Sequence, residues 1–182
     1  MGGVTRRAFA LGGGAGLLAG CGFHPLYAPA AGGAPGPAQA ELAAVWVPVI
    51  AEHSGQLLRQ ALQQRLEGAG SGAAKRYTLA VSFALSADSL AILPDSTASR
   101  VRLIGSAPWS LTTVGLTPQP LATGQARAVS GYNIIGQEYF AADLENETVT
   151  GRIADTLADQ IVTQLAVYFR RRAAGEAAAG KA

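Results

Sequence analysis

The chain has 182 residues, of which 49% are hydrophobic and 14% are charged, and its formal net charge is +2. This length is enough for one domain with a sizeable core, and so small a basic excess argues against a general nucleic-acid binder, which would carry a strongly basic surface. The single cysteine excludes a disulfide within the chain.

The first twenty residues have the organisation of a secretory signal. Arg6 and Arg7 precede an uncharged, apolar stretch over residues 8–20. This stretch is shorter than the about 20 predominantly apolar residues that span a bilayer, so we predict that residues 1–20 are a signal peptide that is removed after export. The paired arginines fit the twin-arginine route, and the glycine-rich core fits the general secretory route equally well.

The one cysteine, Cys21, comes directly after this stretch, in the sequence Leu-Ala-Gly-Cys. This pattern is typical of a lipobox, in which small residues let a peptidase reach the backbone and the thiol receives the lipid anchor. A buried free cysteine is the alternative, and the position of Cys21 favours lipidation. Gly22 stands where, by analogy with other lipoproteins, an aspartate would favour inner-membrane retention. We therefore predict anchoring to the outer membrane, on its periplasmic side.

Segments of low complexity precede and follow the body of the chain. Residues 28–40 are almost only Ala, Gly and Pro, so we predict a flexible tether over residues 21–40. Residues 173–182 are rich in alanine and glycine and are predicted to be a disordered tail. Removal of the signal takes Arg6 and Arg7 from the 14 basic residues, which leaves 12 against 12 acidic ones and a neutral mature chain.

The first part of the body predicts two strands separated by a helix. The β-forming residues 44–49 predict a first strand, which Pro48 ends or places at a sheet edge. A leucine stripe between Ser54, as N-cap, and Gly68, as the stop, predicts a helix. Apolar residues alternate with small residues over 77–86, and this alternation predicts a second strand with one covered face.

The second part predicts two more strands and a long closing helix. Residues 101–111 and 121–130 read as strands joined by a proline-containing turn. Apolar residues then repeat every three or four positions over 153–169, which predicts a helix. The order β-α-β-β-β-α over residues 41–172 predicts a single α+β domain. Two amphipathic helices would cover one face of a roughly four-stranded sheet and leave the other face to water or a partner.

A family resemblance begins at the predicted cleavage site. The segment CGFHPLY at residues 21–27 resembles the start of the mature lipopolysaccharide-assembly lipoproteins of the LptE family, in which Gly-Phe and Pro-Leu-Tyr follow the lipidated cysteine. The body resembles the family in the order of a Val-Pro strand, a leucine-rich helix, an alternating Tyr-Thr-Leu strand and a closing helix with Ala-Asp-Gln-Ile. The tether and the alanine-rich tail depart from the family pattern.

The resemblance implies a function without catalysis. Such lipoproteins associate with the outer-membrane β-barrel LptD, sit largely inside its lumen as a plug and assist the delivery of lipopolysaccharide to the outer leaflet. It therefore implies an LptD-type barrel and lipopolysaccharide as partners. The alternative is an accessory lipoprotein of another envelope lipid-transport system, such as an ABC-type system, which could share a small α/β body.

The residues themselves offer no catalytic set, so the sequence predicts neither an enzyme nor a bound cofactor or metal. The chain has two histidines, His24 beside the predicted anchor and His53 before a helix. A Ser-His-Asp arrangement would have to use His53 with its neighbour Ser54, and a surface histidine is the simpler interpretation. His, Cys and carboxylate residues do not cluster at the spacing of metal ligands.

Direct binding of lipopolysaccharide, which is anionic, would need Arg or Lys side chains that meet its phosphates. The predicted candidates lie at the starts or within the strands, and they are Lys75, Arg76, Arg100, Arg102 and Arg127. The pair Arg100 and Arg102 is favoured because residues at i and i+2 share one face of a strand. For each residue the alternative is a solvated charge that protects a sheet edge from aggregation.

Overall fold

Three helices and five strands make up the part of the chain that the computed structural model describes, which is residues 36–67, 72–92, 98–133 and 139–179. In chain order they are α1 (Pro37–Ala43), β1 (Val45–Trp46), α2 (His53–Glu67), β2 (Tyr77–Val81), β3 (Ala84–Ile92), β4 (Ala98–Thr113), β5 (Pro120–Asn133) and α3 (Tyr139–Ala179). The predicted signal, Cys21 and most of the predicted tether lie outside these residues.

The strands form one mixed sheet around β4. β5 pairs antiparallel with β4 along nearly its whole length. On the other side of β4, β2 pairs with its C-terminal half and β3 with its N-terminal half, both antiparallel, and β1 adds to β2 in parallel. β1 and β2 therefore mark one end of the sheet, and β3 marks the other.

β2 and β3 are two halves of one extended segment, because their pairing with β4 keeps the same register on both sides of the break. At the break, the backbone N–H of Ser82 donates to the carbonyl of Pro108 over 3.2 Å. Proline has no N–H with which to return a bond, so the ladder is interrupted there. The strand predicted over 77–86 is thus divided, and its second half continues to Ile92.

α2 and α3 cover one face of the sheet and form the core with it. Every second residue of β4 faces the helices and is buried, and Leu103 and Leu111 are examples. The approach of α3 is closest at Gly105, where a Cβ atom would collide with Ile153 and press on Phe83. Leu157, Ile161, Leu165 and Phe169 continue the buried stripe of α3 at helical spacing.

The C-terminal half of α2 is joined to α3 by charge as well as by apolar packing. The Arg65 guanidinium lies 2.5 Å from Asp159 and 3.2 Å from Asp155, one turn apart on α3. The hydrogen bond that Arg65 donates to Asp159, together with the charges of Asp159 and Asp155, raises the pKa of Arg65 further above its ordinary value. These contacts fix α2 against α3 on the helical side of the sheet.

Two glutamines of α3 cover part of the free edge of β5. The side-chain amide of Gln160 accepts from the backbone N–H of Arg127 and donates to the carbonyl of the same residue. Gln164 donates to the carbonyl of Gln125 and accepts from the indole N–H of Trp109. Main-chain groups at a sheet edge otherwise offer a template for pairing with another chain, so the glutamines occupy bonds that a foreign strand would use.

The α+β class, the single domain and the packing of helices on one sheet face are confirmed, with five strands and three helices instead of four and two. The added helix α1 lies partly in the predicted tether. Pro37 does not prevent this helix, because it falls in the first turn, where a backbone N–H has no partner within the helix. α3 continues to Ala179, through most of the segment expected to be a disordered tail. Alanine is the best helix former, and Arg172 and Glu176 form an i, i+4 ion pair there.

Candidate functional site

The face of the sheet that the helices leave uncovered is the candidate site. On β4 and β5 this open face is formed by the residues that alternate with the buried ones. Three rows of paired residues matter most, and they are Arg102 with Gly131, Ile104 with Val129, and Ser106 with Arg127. Because paired residues point to the same side of a sheet, the three rows form one continuous surface. Of these residues, Arg127, Val129 and Gly131 are exposed.

Arg100 and Arg102 lie on this open face together, as their spacing predicted. Arg100 is exposed, whereas Arg102 is half-buried. A guanidinium nitrogen of Arg102 lies 2.9 Å from the carboxylate of Asp88 on β3, and its Nε atom is buried without a hydrogen-bond partner. An ion pair this exposed contributes little to stability. Arg102 therefore shares its charge with Asp88, and Arg100 offers the more accessible charge.

Arg127 belongs to the same face, although it comes from the neighbouring strand. It pairs with Ser106, and strand residues advance about 3.3 Å each, which places Arg127 about 13 Å along the sheet from Arg102. The apolar pair Ile104 and Val129 occupies the row between them, and Val129 is 57% exposed. The open face thus carries cations on both sides of an apolar patch.

Lys75 and Arg76 are not part of this surface. The backbone carbonyl of Arg76 accepts from Val114, just beyond the end of β4, so at about 3.3 Å per residue Arg76 lies about 40 Å along the sheet from Arg102. Lys75 donates to the carbonyl of Ala43 over 3.0 Å and approaches Glu67 to 3.4 Å. The five predicted cations are therefore divided. Arg100 and Arg102 lie toward one end of the sheet, Arg127 lies near its middle, and Lys75 and Arg76 lie at the opposite end.

Arg76 takes part in a cluster that holds α1 against β2. It pairs with one oxygen of Glu41 over 2.8 Å, and the Tyr77 hydroxyl donates to the other oxygen over 2.7 Å. The Tyr77 ring packs against Phe169 of α3 and is almost fully buried. Burial, and then the hydrogen bond to Glu41, raises the pKa of Tyr77 above its ordinary value. This cluster holds α1, β2 and α3 together.

The apolar patch and its surroundings are what the sequence analysis missed. Ile104 and Val129 were seen only as members of strands, because their row depends on the register between β4 and β5. Beyond this patch the open face continues over small residues, which are Ala80, Ser82, Ala84, Ser106 and Ser110. The small residues between the large ones of 77–86 were the available signal that this side is not filled by bulky side chains.

The described ranges contain no group of three or more His, Cys, Asp or Glu residues that could hold a metal ion. Among the helices of the same ranges, none combines the length and apolar character needed to cross a membrane. The open face offers charge and apolar contact to a ligand.

Comparison with known proteins finds one matching family model and several structures with a similar fold. The model of the family described as LptE, lipopolysaccharide-assembly, matches residues 42–165. A lipoprotein structure from Caulobacter crescentus CB15 has 22% sequence identity and a TM-score of 0.57, and the alignment covers 73% of this chain and 96% of that one. At this identity the likeness shows a shared fold.

Two further structures are similar at a lower level. Rare lipoprotein B from Shewanella oneidensis has 17% identity and a TM-score of 0.49, with 68% of this chain and 93% of that chain covered. A minor lipoprotein from Acinetobacter baumannii has 14% identity and a TM-score of 0.49, with 68% and 88% covered. Among curated proteins, no sequence matches.

Proposed function

This chain belongs to the LptE lipopolysaccharide-assembly family, which confirms the family resemblance, and from that membership we propose that it is a non-catalytic outer-membrane lipoprotein that assists the assembly of lipopolysaccharide into the outer leaflet. The observation that carries the proposal is the extent of the family match. It begins at Leu42 in α1 and ends at Leu165 in α3, so it includes the five described strands, α2 and the first two thirds of α3.

The proposed partner is an LptD-type β-barrel, in which the domain acts as a plug. Two features of the domain support this arrangement. In the part of the chain that the structure describes, the helices leave one face of the sheet uncovered, and part of the free edge of β5 is occupied by Gln160 and Gln164. A plug lies beside the strands of its barrel, and an occupied edge limits unspecific pairing with other strands.

Direct contact with lipopolysaccharide is proposed for the open face. Arg100, Arg102 and Arg127 could meet phosphates, while the row of Ile104 and Val129 offers apolar contact to the adjoining part of an amphiphile. The spacing of about 13 Å between Arg102 and Arg127 suits separate anionic groups better than a single one. Lys75 and Arg76 are not included in this proposal, because their charges already pair with Glu67 and Glu41.

The proposed anchor is the acylated Cys21. Fifteen residues separate Cys21 from Pro37, the first residue of α1, and an extended chain of this length spans at most about 50 Å. The domain would therefore remain close to the membrane that carries the anchor.

Co-purification tests the proposed partnership. The full chain with an affinity tag after Ala182 would be isolated from gently solubilised membranes of the native host. We expect one large outer-membrane β-barrel in stoichiometric amount. Recovery of inner-membrane transporter subunits instead, without such a barrel, would support the accessory lipoprotein of an ABC-type system and contradict the plug.

A Cys21→Ala variant tests the anchor separately. Because the predicted signal is cut only after acylation, we expect an unlipidated chain whose signal is not removed by the lipoprotein peptidase. Mass spectrometry would then find no acylated N-terminus, in contrast to the wild type. An acylated peptide in the variant, or an unmodified Cys21 in the wild type, would show that Cys21 is not the anchor.

A further inference from the structure

The turn between β4 and β5 exposes apolar side chains. This hairpin tip, residues 114–119, contains Val114, which is about half exposed, and Leu116, which is fully exposed. Trp46 of β1 is also about half exposed, and it lies in the row of Thr112, next to the tip. The end of the sheet that β1 and β2 mark therefore presents one aromatic and two aliphatic side chains to its surroundings.

The hairpin around the tip carries no charge. No Lys, Arg, Asp or Glu occurs between Arg102 and Arg127, although 14% of the chain is charged, and the tip lies near the middle of this uncharged segment. Transfer of an ionised side chain out of water is very costly. The tip could therefore enter an apolar medium without taking an ionised group of the hairpin with it.

The backbone of the tip is also partly satisfied. The N–H of Thr113 donates to the carbonyl of Gln119 over 3.0 Å, and the N–H of Gln119 donates to the Thr113 hydroxyl over 2.9 Å. The N–H of Val114 donates to the carbonyl of Arg76, and Pro118 has no N–H. Val114, Pro118 and Gln119 thus need no water at the main-chain nitrogen, which lowers the cost of leaving water.

The chain enters its first helix beside this tip. Glu41 of α1 pairs with Arg76, whose carbonyl accepts from Val114 over 2.9 Å. Fifteen residues separate the proposed anchor, Cys21, from Pro37 at the start of α1, and an extended chain of this length spans at most about 50 Å. The opposite end of the sheet lies about 40 Å away. The anchor therefore brings the tip to the membrane more readily than it brings that end.

We propose that the hairpin tip dips into the membrane leaflet that holds the lipid anchor. Leu116 then enters the boundary between headgroups and acyl chains, where exposed apolar side chains of peripheral proteins are buried. Trp46 lies behind it at headgroup level, the position that tryptophan favours at membranes. The inference rests on the proposed anchor at Cys21, and it needs neither the proposed barrel nor bound lipopolysaccharide.

A bilayer suits the tip better than a protein partner does. A stable protein interface buries about 800 Å² on each side, and one leucine with two half-exposed side chains supplies much less than that. A membrane contact does not need so large an area here, because the anchor already keeps the domain at the surface at a high effective concentration.

A fluorescent label at Gly115 tests the insertion. A Cβ atom at Gly115 would have no neighbour within 4 Å, so Gly115→Cys should fold, and acylation of Cys21 leaves the new thiol to take an environment-sensitive dye. The full mature chain, purified from membranes, would be reconstituted into vesicles of phosphatidylethanolamine and phosphatidylglycerol. Part of the phospholipid would carry bromine near the middle of its acyl chains. We expect bromine to quench the label by about half, since the boundary region lies within reach of the acyl chains.

The matched control is Gly151→Cys, the same change on α3. A Cβ atom at Gly151 also has no neighbour within 4 Å, and Gly151 lies close in sequence to Ile153, which approaches Gly105. Gly105 is about 26 Å along β4 from Thr113, so a label at Gly151 should stay in water and be quenched little. Because both labelled chains keep the same Cys21, the difference between them reports the labelled position alone.

A second substitution tests which side chain makes the contact. Leu116→Asn should lower the equilibrium constant for insertion about tenfold, and quenching of the Gly115 label should fall toward that of the control. The fold should be kept, because Leu116 is exposed, and circular dichroism checks this. Leu144→Asn changes an exposed leucine near the start of α3, toward the opposite end of the sheet, and it should leave the quenching unchanged.

Three outcomes would overturn the proposal, and they separate it from the proposed anchor. One is a Gly115 label that is quenched no more than the Gly151 label while the acylated chain stays on the vesicles, which leaves the anchor intact. Another is unchanged quenching in the folded Leu116→Asn variant. The third is protection of the Gly115 label in native membranes but not in vesicles, which would assign the tip to a protein partner. A chain that mass spectrometry finds unacylated, and that stays in solution, would contradict the anchor and the insertion together.

Discussion

At the end of the sheet where β1 joins β2, Lys75 and Arg76 contact carboxylates of α1 and α2 and a backbone carbonyl of α1. At the opposite end, Arg100 is exposed and Arg102 has the single carboxylate of Asp88 beside it. The same residue types thus have different surroundings about 40 Å apart on one sheet. From this difference we predict that the partners of a cation, and not its presence in a strand alone, decide whether it is available to a ligand.

The comparison is strongest if the two ends respond to mutation in opposite ways. Changes at the β1–β2 end should lower the free energy of unfolding and leave ligand affinity alone. Changes at the open face should do the reverse. Three variants test this division, and they are given from the largest expected effect to the smallest.

The double variant Arg100→Glu with Arg102→Glu should lower affinity for purified lipopolysaccharide more than tenfold, because attraction to phosphate becomes repulsion. The free energy of unfolding should fall by less than about 1 kcal/mol, since both side chains are at least partly exposed. Binding would be measured at low and high salt, and the loss should be largest at low salt, where charges are least screened.

The matched control for that variant is Arg152→Glu with Arg171→Glu. Both residues are exposed on α3 and the change in net charge is the same. This control should keep most of the affinity. If it loses as much affinity as the open-face variant, net charge and not the open face governs binding.

Tyr77→Phe should lower the free energy of unfolding at pH 7 by about 1–2 kcal/mol, because it removes a 2.7 Å hydrogen bond to a carboxylate at a nearly buried position. In the wild type the folded state holds the phenol proton more tightly than the unfolded state does. The stability of this contact is therefore complete below pH about 10, the ordinary tyrosine pKa, and decreases as pH rises above it.

The variant has no phenol to titrate, so its stability should decline less than that of the wild type above pH 10. Urea unfolding at pH 7 and pH 10.5 measures both effects. An equal decline in the two proteins would show that Tyr77 does not contribute to the alkaline loss of stability. Affinity for lipopolysaccharide at pH 7 should be unchanged.

Arg76→Gln should have the smallest effect, a loss of about 0.5 kcal/mol, because its ion pair with Glu41 is more than half exposed on the arginine side. The measurement is again urea unfolding, accompanied by a lipopolysaccharide titration. A loss of affinity comparable to that of the open-face double variant would contradict the division between the two ends.

Local patterns predicted most of the fold. The alternation over 77–86 and the apolar repeat over 153–169 reflect burial on one side, and burial on one side is what a helical layer on a sheet requires. The break after Val81 could not be read from that strand, because its cause, Pro108, lies on the neighbouring strand. The helix α1 was missed because alanine and proline in the same segment give opposite indications.

The site was predicted less completely, and the reason is register. The i, i+2 spacing was enough to place Arg100 and Arg102 on one face, as the structure has them. Their separation from Arg76, and the pairing of Arg102 with Asp88, depend on which residues of distant segments lie opposite each other. The spacing of residues within one strand does not show which residues of another strand lie opposite them.

The position of α3 in the chain sets the order in which the domain is completed. α3 follows all five strands, and it supplies Gln160 and Gln164 to the β5 edge as well as Ile153 and Leu157 to the core. A chain synthesised from its N-terminus therefore has every strand before it has the helix that covers them. Until α3 is made, the apolar side of the sheet and the β5 edge are both open to aggregation. The interval between the end of β5 and the docking of α3 is accordingly when the sheet is most open to aggregation.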